Sequence, residues 1–166
     1  VSPFLKDIVY YTNKNSINLF AEALGELISP TDYARTVKAE LSGMGIDSCG
    51  ITLKDASGLS PANAVPAEVF TDLLIWAKGH LSDVFVASLP QGNVDWGLRV
   101  YSDHPVLREN VIAKTGSMSG VRALAGYLKN QKGETLAFTI LVNNYVGDPV
   151  KVQEIIRDLL KDIADK

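Results

Sequence analysis

Lys114-Thr115-Gly116-Ser117 stands at the end of a strand-like run and just before a glycine turn. There a lysine, two hydroxyls and a backbone stripped of its side chain can line one groove. The lysine supplies a point charge, Thr115 and Ser117 supply hydroxyl donors for an anionic terminus, and Gly116 lets a ligand approach the strand edge. The backbone N–H of Ser117 could also face a developing oxyanion. The plain reading of the same residues is a strand end with an exposed lysine and a turn. Ser16-Ile17-Asn18 places a hydroxyl and a carboxamide two residues apart at a helix start, where a serine can relay a proton and an asparagine can hold a substrate amide. Its plain counterpart is an ordinary N-cap serine. Ser60-Pro61-Ala62-Asn63 repeats these residue types at the wrong spacing.

Other chemistry-bearing residues are poorly placed. His80 closes a helix and His104 precedes Pro105, and neither has a second His or a Cys at metal-ligand spacing, so no metal site and no cofactor are expected. Ser57 lacks the glycine two residues earlier that a nucleophile elbow requires. Trp76 and Trp96 read as core and loop anchors. The chain's 166 residues, 46% hydrophobic and 21% charged, fit one ordinary globular domain and disfavour disordered or fibrous classes. A net charge of −3 argues against a nucleic-acid or anionic-membrane partner. The single cysteine, Cys49, allows no internal bridge and leaves the compartment open. The longest apolar run, Val65 to Ala77, is broken by Pro66, Glu68, Thr71 and Asp72, so no membrane span is expected.

These motifs need elements to hold them. Ser2-Pro3 reads as an N-cap and first turn, followed by Leu5, Ile8 and Val9 on one face, with Asn13 to Asn15 interrupting the helix. Ser16 then stands at the start of a second helix carrying Ile17, Phe20, Ala21, Leu24, Leu27 and Ile28. Ser29-Pro30-Thr31-Asp32 closes it and caps a third, which carries Tyr33, Val37 and Leu41 and ends at Gly43-Met44-Gly45. Ile46 to Leu53 reads as a short extended segment before the turn Asp55 to Pro61. Pro66-Ala67-Glu68 opens a helix stopped by Gly79. Residues 81–107 give no clear elements. Asn110 to Thr115, Val121 to Lys129 and Thr135 to Asn143 read as strands, with Asn130 to Glu134 as a hairpin loop. After Gly147-Asp148-Pro149, the residues Val152, Ile155, Ile156, Leu159, Leu160 and Ile163 form the apolar stripe of a last helix. The expected class is α+β, with a helical part about 1–80, a loop region about 81–109, and a sheet with a C-terminal helix about 110–166.

The two motifs come in the order that Ser-x-Asn-like and Lys-Thr-Gly parts take in penicillin-interacting serine enzymes. Their flanks sharpen the match. Asn15 to Leu24, Asp55-Ala56-Ser57-Gly58-Leu59-Ser60, Ala87-Ser88-Leu89-Pro90, Ala113 to Val121 and Leu124-Ala125-Gly126-Tyr127 resemble successive blocks of one family. It is the D-alanyl-D-alanine carboxypeptidase/endopeptidase family of low-molecular-mass, class C penicillin-binding proteins. The resemblance covers nearly the whole chain but only the later part of a family member.

That resemblance implies a partial β-lactamase/transpeptidase-like fold, 1–166 being the C-terminal part of one domain whose first strands are missing. It implies a serine hydrolase of peptidoglycan stem or cross-link peptides, periplasmic or extracytoplasmic, that β-lactams acylate. Ser16 would pass a proton to the leaving amine, Asn18 would orient the acylated peptide, and Lys114 would hold the electrostatics of the Ser16 hydroxyl and the terminal carboxylate. Thr115 and Ser117 would bind that carboxylate at the gap left by Gly116, with Leu59 near the mouth. Two departures stand out: Pro61 where a basic residue is usual, and Gln91-Gly92-Asn93 after Ser-Leu-Pro. Family members acylate a serine in Ser-x-x-Lys, and none of the twelve serines here has lysine at +3. With the start Val1-Ser2-Pro3, which has neither initiator methionine nor signal segment, this places the expected nucleophile upstream, in a remainder of the same chain, and leaves the fragment nearly inert. Two other readings stay open. One is a noncatalytic peptidoglycan- or partner-binding module. The other is a piece of a serine β-lactamase, which leaves Ser-Gly-Leu-Ser and Met118-Ser119-Gly120-Val121 unexplained.

Overall fold

The structure, a computed structural model, describes residues 2–81 and 83–166, and it divides into two compact units meeting in sequence at Ser88 and Leu89. The first unit holds α1 (Leu5–Asn15), α2 (Asn18–Ile28), α3 (Tyr33–Gly43), α4 (Ala67–His80) and α5 (Asp83–Ser88). Helix α1 starts later than Ser2-Pro3 suggests: extended Phe4 precedes it and no side chain caps it. Nor do Asn13 to Asn15 break it. Asn13 Nδ2 donates to Ser88 Oγ at 2.8 Å, and Ser88, fully buried, donates to Phe85 O at 2.6 Å. This tertiary bond outweighs asparagine's weak helix preference.

Ser16 is not the N-cap of the second helix. It is the C-cap of α1, in the left-handed region at φ 54° and ψ 50°, and Ile17 precedes α2 in extended conformation. Asp32 caps α3 by accepting from Arg35 N at 3.3 Å. Pro66 sits at the N-cap of α4, whose end runs past Gly79 to His80, because the His80 ring bonds Trp76 O at 2.9 Å and stacks on the Trp76 ring. Between α3 and α4 the expected extended segment is reduced to one bridge, Thr52 to Ala64. Leu41, Ile46, Ile51 and Val69 form the core here, with Trp76 packed against it. Each such buried aliphatic side chain contributes about 1.5–3 kcal/mol.

The second unit begins with elements too short to show a period in the sequence: a 3-10 helix, Trp96–Tyr101, and α6, Pro105–Asn110. They and α5 occupy the stretch read as featureless. Strands β1 (Val111–Met118), β2 (Val121–Lys129) and β3 (Thr135–Asn143) form an antiparallel sheet in that order, and α7 (Pro149–Ala164) follows. Asn110 closes α6 instead of opening β1, and β1 reaches Met118, three residues beyond Thr115. The hairpin between β2 and β3 is held by Asn130, whose side-chain oxygen accepts from Glu134 N at 2.8 Å.

Asp148 caps α7 by accepting from Val150 N. The helix packs on one sheet face through Ile156, Leu160 and Ala164, against Val111, Ala113, Leu124, Leu128 and Phe138. Val152 and Ile163 flank that row, whereas Ile155 and Leu159, expected in the buried stripe, are exposed. Trp96 is 83% exposed and anchors no loop.

Candidate active site

Strand β1 is an edge strand, and its hydrogen bonds fix which backbone groups face outward. Gly92 N donates to Val111 O at 3.0 Å and Ala113 N donates to Pro90 O at 2.9 Å, so residues 111 and 113 turn their amide and carbonyl away from β2. In an antiparallel ladder that direction alternates residue by residue. The pairing with β2 is unbroken from Val111↔Leu128 to Met118↔Val121, so Thr115 and Ser117 also turn outward. Past Ala113 the outer edge therefore presents the Thr115 carbonyl and the Ser117 N–H.

Side chains alternate too. Thr115 and Ser117 share the face of Ala113, while Lys114 lies on the opposite face with Gly116. The lysine nevertheless reaches the edge, because its Nζ donates to Thr115 O at 2.7 Å. Burial pulls the Lys114 ammonium below the ordinary lysine value. A cation, an outward N–H and two hydroxyls thus lie within four residues of one strand end. That set can receive a carboxylate or a developing oxyanion. Gly116 is tightly fitted: an added Cβ would meet Ala123 Cβ at 3.3 Å.

Thr115, Gly116 and Ser117 also form one wall of a cleft of about 390 Å³. Its other sides come from Gly97 and Arg99 of the 3-10 helix and from Arg122 of β2. The motif search missed Arg122 because its position becomes informative only with the register, which sets it opposite Ser117.

Within the first unit, Ser16 and Asn18 lie at the α1–α2 junction, both exposed. The αL turn at Ser16 costs about 1–2 kcal/mol for a residue with a Cβ, and such strain is more often kept at working sites. Leu59 is exposed on the Ser57 to Ser60 turn. Two carboxylates that the motif search overlooked hold this turn. Glu22 of α2 accepts from Ser57 N at 2.9 Å and Ala56 N at 3.3 Å. Asp55 accepts from Gly58 N, Ser60 N and Asn63 Nδ2. Hydrogen bonding to Ser57 lowers the Glu22 carboxyl. At Asp55 burial pushes upward, but the bonds from Asn63, Gly58 and Ser60 outweigh it and the carboxyl sits low. Helix α2, which starts at Asn18, comes close enough that a Cβ on Gly25 would meet Ala56 Cβ at 2.5 Å. A glycine in the middle of a helix was the available signal for that approach.

Comparison with known proteins identifies the chain. The sequence profile of the D-Ala-D-Ala carboxypeptidase 3 (S13) family matches residues 1–165. A D-alanyl-D-alanine carboxypeptidase of Actinomadura sp. is 36% identical over 98% of this chain and 31% of its own length. The D-alanyl-D-alanine carboxypeptidase DacB of Haemophilus influenzae is 33% identical over 87% of this chain and 33% of its own. The chain thus spans about a third of these relatives. The crystal structure of Haemophilus influenzae penicillin binding protein 4 (dacB), complexed with a β-lactam, superposes with TM-score 0.88 at 28% identity, covering 96% of this chain and 41% of that one. The TLA-1 extended spectrum β-lactamase superposes with TM-score 0.79 at 17% identity, over 99% of this chain and 64% of that one, a likeness of fold alone. The fold is therefore α+β of the penicillin-binding and β-lactamase kind, and these 166 residues belong to the D-Ala-D-Ala carboxypeptidase 3 (S13) family.

Proposed function

We propose that the chain is the C-terminal part of a single transpeptidase-like domain in a periplasmic or extracytoplasmic serine D-Ala-D-Ala carboxypeptidase/endopeptidase. The observation that carries this reading is the outer edge of β1, where Lys114 Nζ sits on the Thr115 carbonyl and the Ser117 N–H faces away from the sheet. An extended peptide aligned on such an edge would have its terminal carboxylate held by the Thr115 and Ser117 hydroxyls and the charge of Lys114. A serine Oγ attacks the carbonyl of the penultimate D-alanine, the carbonyl oxygen becomes an oxyanion at the Ser117 N–H, and the C–N bond breaks as the leaving amine takes a proton. Ser16 passes that proton, and Asn18 holds the amide of the acylated stem peptide. Water then adds to the ester, restoring the serine. A β-lactam follows the first half of this course because its strained amide mimics the acyl donor.

The attacking serine is not one of the twelve in this sequence, since none has a lysine three residues on to act as its base. The complete gene product and the 166-residue chain, each treated with fluorescent penicillin, test the reading. The complete protein should carry one label on a serine of a Ser-x-x-Lys segment, and the 166-residue chain none. A label on any serine of the 166-residue chain would overturn the assignment. A complete protein that lacks Ser-x-x-Lys and takes no label would instead favour a noncatalytic peptidoglycan-binding module.

A further inference from the structure

The cleft beside Ser117 contains a charge with no part in the proposed reaction, that of Arg122. Arg122 stands opposite Ser117 in the β1–β2 register, so its side chain leaves the sheet on the face of Thr115 and Ser117, not that of Lys114. The guanidinium is fixed in place. Nη1 donates to Val121 O at 2.9 Å and to Met118 O at 3.2 Å, and the Tyr145 ring lies 5.6 Å from the charge. Nε is buried and has no hydrogen-bond partner among the described residues. A buried N–H of a charged group left without an acceptor is a standing demand for one. The cleft is positive: Arg99 and Arg122 line it, and no aspartate or glutamate does among the described residues. Tyr101, buried at its side, has its hydroxyl pushed up to about 12 by burial, while the nearby Arg122 pulls it down.

Resting on the function proposed above, we infer that Arg122 is a specificity-determining residue: its guanidinium faces the carboxylate held at Thr115 and Ser117 and selects peptides ending in a free acid over neutral, amidated ones. Lys114 carries its charge on the same outer edge, with Nζ donating to the Thr115 carbonyl, but as a point charge it lacks a planar fork. A planar guanidinium lining the cleft is suited to a carboxylate, and a lysine ammonium in its place would keep charge without that fork.

The test compares two stem-peptide substrates differing only in a C-terminal acid or amide, using the complete protein, R122Q and R122K. Wild type should prefer the acid. In R122Q that preference, as the ratio of kcat/KM values, should fall by about tenfold or more, chiefly through a raised KM for the acid and with kcat nearly unchanged. R122K should fall between the two. If R122Q does not fold, R122K alone decides, and a ratio equal to wild type overturns the inference. An R122Q protein that folds and keeps the wild-type ratio also overturns it. These results leave the proposed function standing, whereas a wild-type protein that cleaves neither peptide and takes no penicillin label removes that function itself.

Discussion

Replacement of Gly126 by alanine tests how closely β1 and β2 are packed, and whether that closeness sets the position of Lys114. Gly126 of β2 pairs with Ala113, the residue before Lys114. A Cβ at Gly126 would overlap the Ile112 carbonyl oxygen and stand 2.5 Å from Ala113 Cα and 2.6 Å from Ala113 Cβ. Carbon atoms that are not bonded settle at about 3.5–4.0 Å, so β1 must retreat by roughly 1 Å or more. No flexible side-chain tip absorbs the shift, because the obstruction is backbone. Overpacking costs about 1–3 kcal/mol where side chains can adjust. Loss of one or two ladder hydrogen bonds adds about 0.5–1.5 kcal/mol each. We expect G126A to destabilise by about 3 kcal/mol, and at roughly 2–4 °C per kcal/mol for a chain of this size Tm should fall by about 6–12 °C. Gly79 provides the contrast: nothing lies within 4 Å of its added Cβ, it sits inside α4, and G79A should raise Tm by about 1–3 °C through helix propensity. Thermal unfolding followed by circular dichroism measures both. In the complete protein, acylation by fluorescent penicillin below the lowered Tm should also slow in G126A, since Lys114 follows Ala113. A G126A protein melting within 1 °C of its parent would refute the close packing and the link to the site.

Four further outcomes follow from particular contacts. Ser16 occupies the left-handed region, so S16G should hold or raise stability by about 1 kcal/mol while removing the hydroxyl, and S16A should not; loss of acylation in a folded S16G protein would separate chemistry from strain. K114A in the complete protein should slow penicillin acylation by about 10²-fold or more without a matching loss of Tm, measured by stopped-flow labelling. S88A removes the acceptor of Asn13 and a buried bond to Phe85 O, and should cost about 1–3 kcal/mol by denaturant unfolding. Glu22 and Asp55 both hold their carboxyls low in the folded protein, so the unfolded chain binds protons more readily in mild acid. Their support should be complete above about pH 5 and lost as pH falls through the lowered values, and E22Q with D55N should flatten that part of the stability profile.

The sequence reading succeeded where a period or a capping residue carries the information, and failed where a distant partner does. The strands β2 and β3 begin and end as alternation and turn residues indicate, and Asp32 caps α3 as its type suggests. Ser before an apolar period looks like an N-cap, yet α1 continues through the two unfavourable asparagines, Asn13 and Asn15, with Asn13 bonded to Ser88 75 positions away. The 3-10 helix and α6 span six residues each, no more than about two turns, which no periodicity resolves. The site divides along the same line. Lys114, Thr115, Gly116 and Ser117 are adjacent in sequence and so were legible as a set, but adjacency did not show that the hydroxyls leave the sheet on one face and the lysine on the other. That follows only from the ladder, and the ladder also brings in Arg122. Arginine at that position reads from sequence as an ordinary surface charge. Paired with Ser117, its guanidinium lines the cleft on the face of the hydroxyls, so the property that gives it a role is created by strand pairing and by nothing local to residue 122.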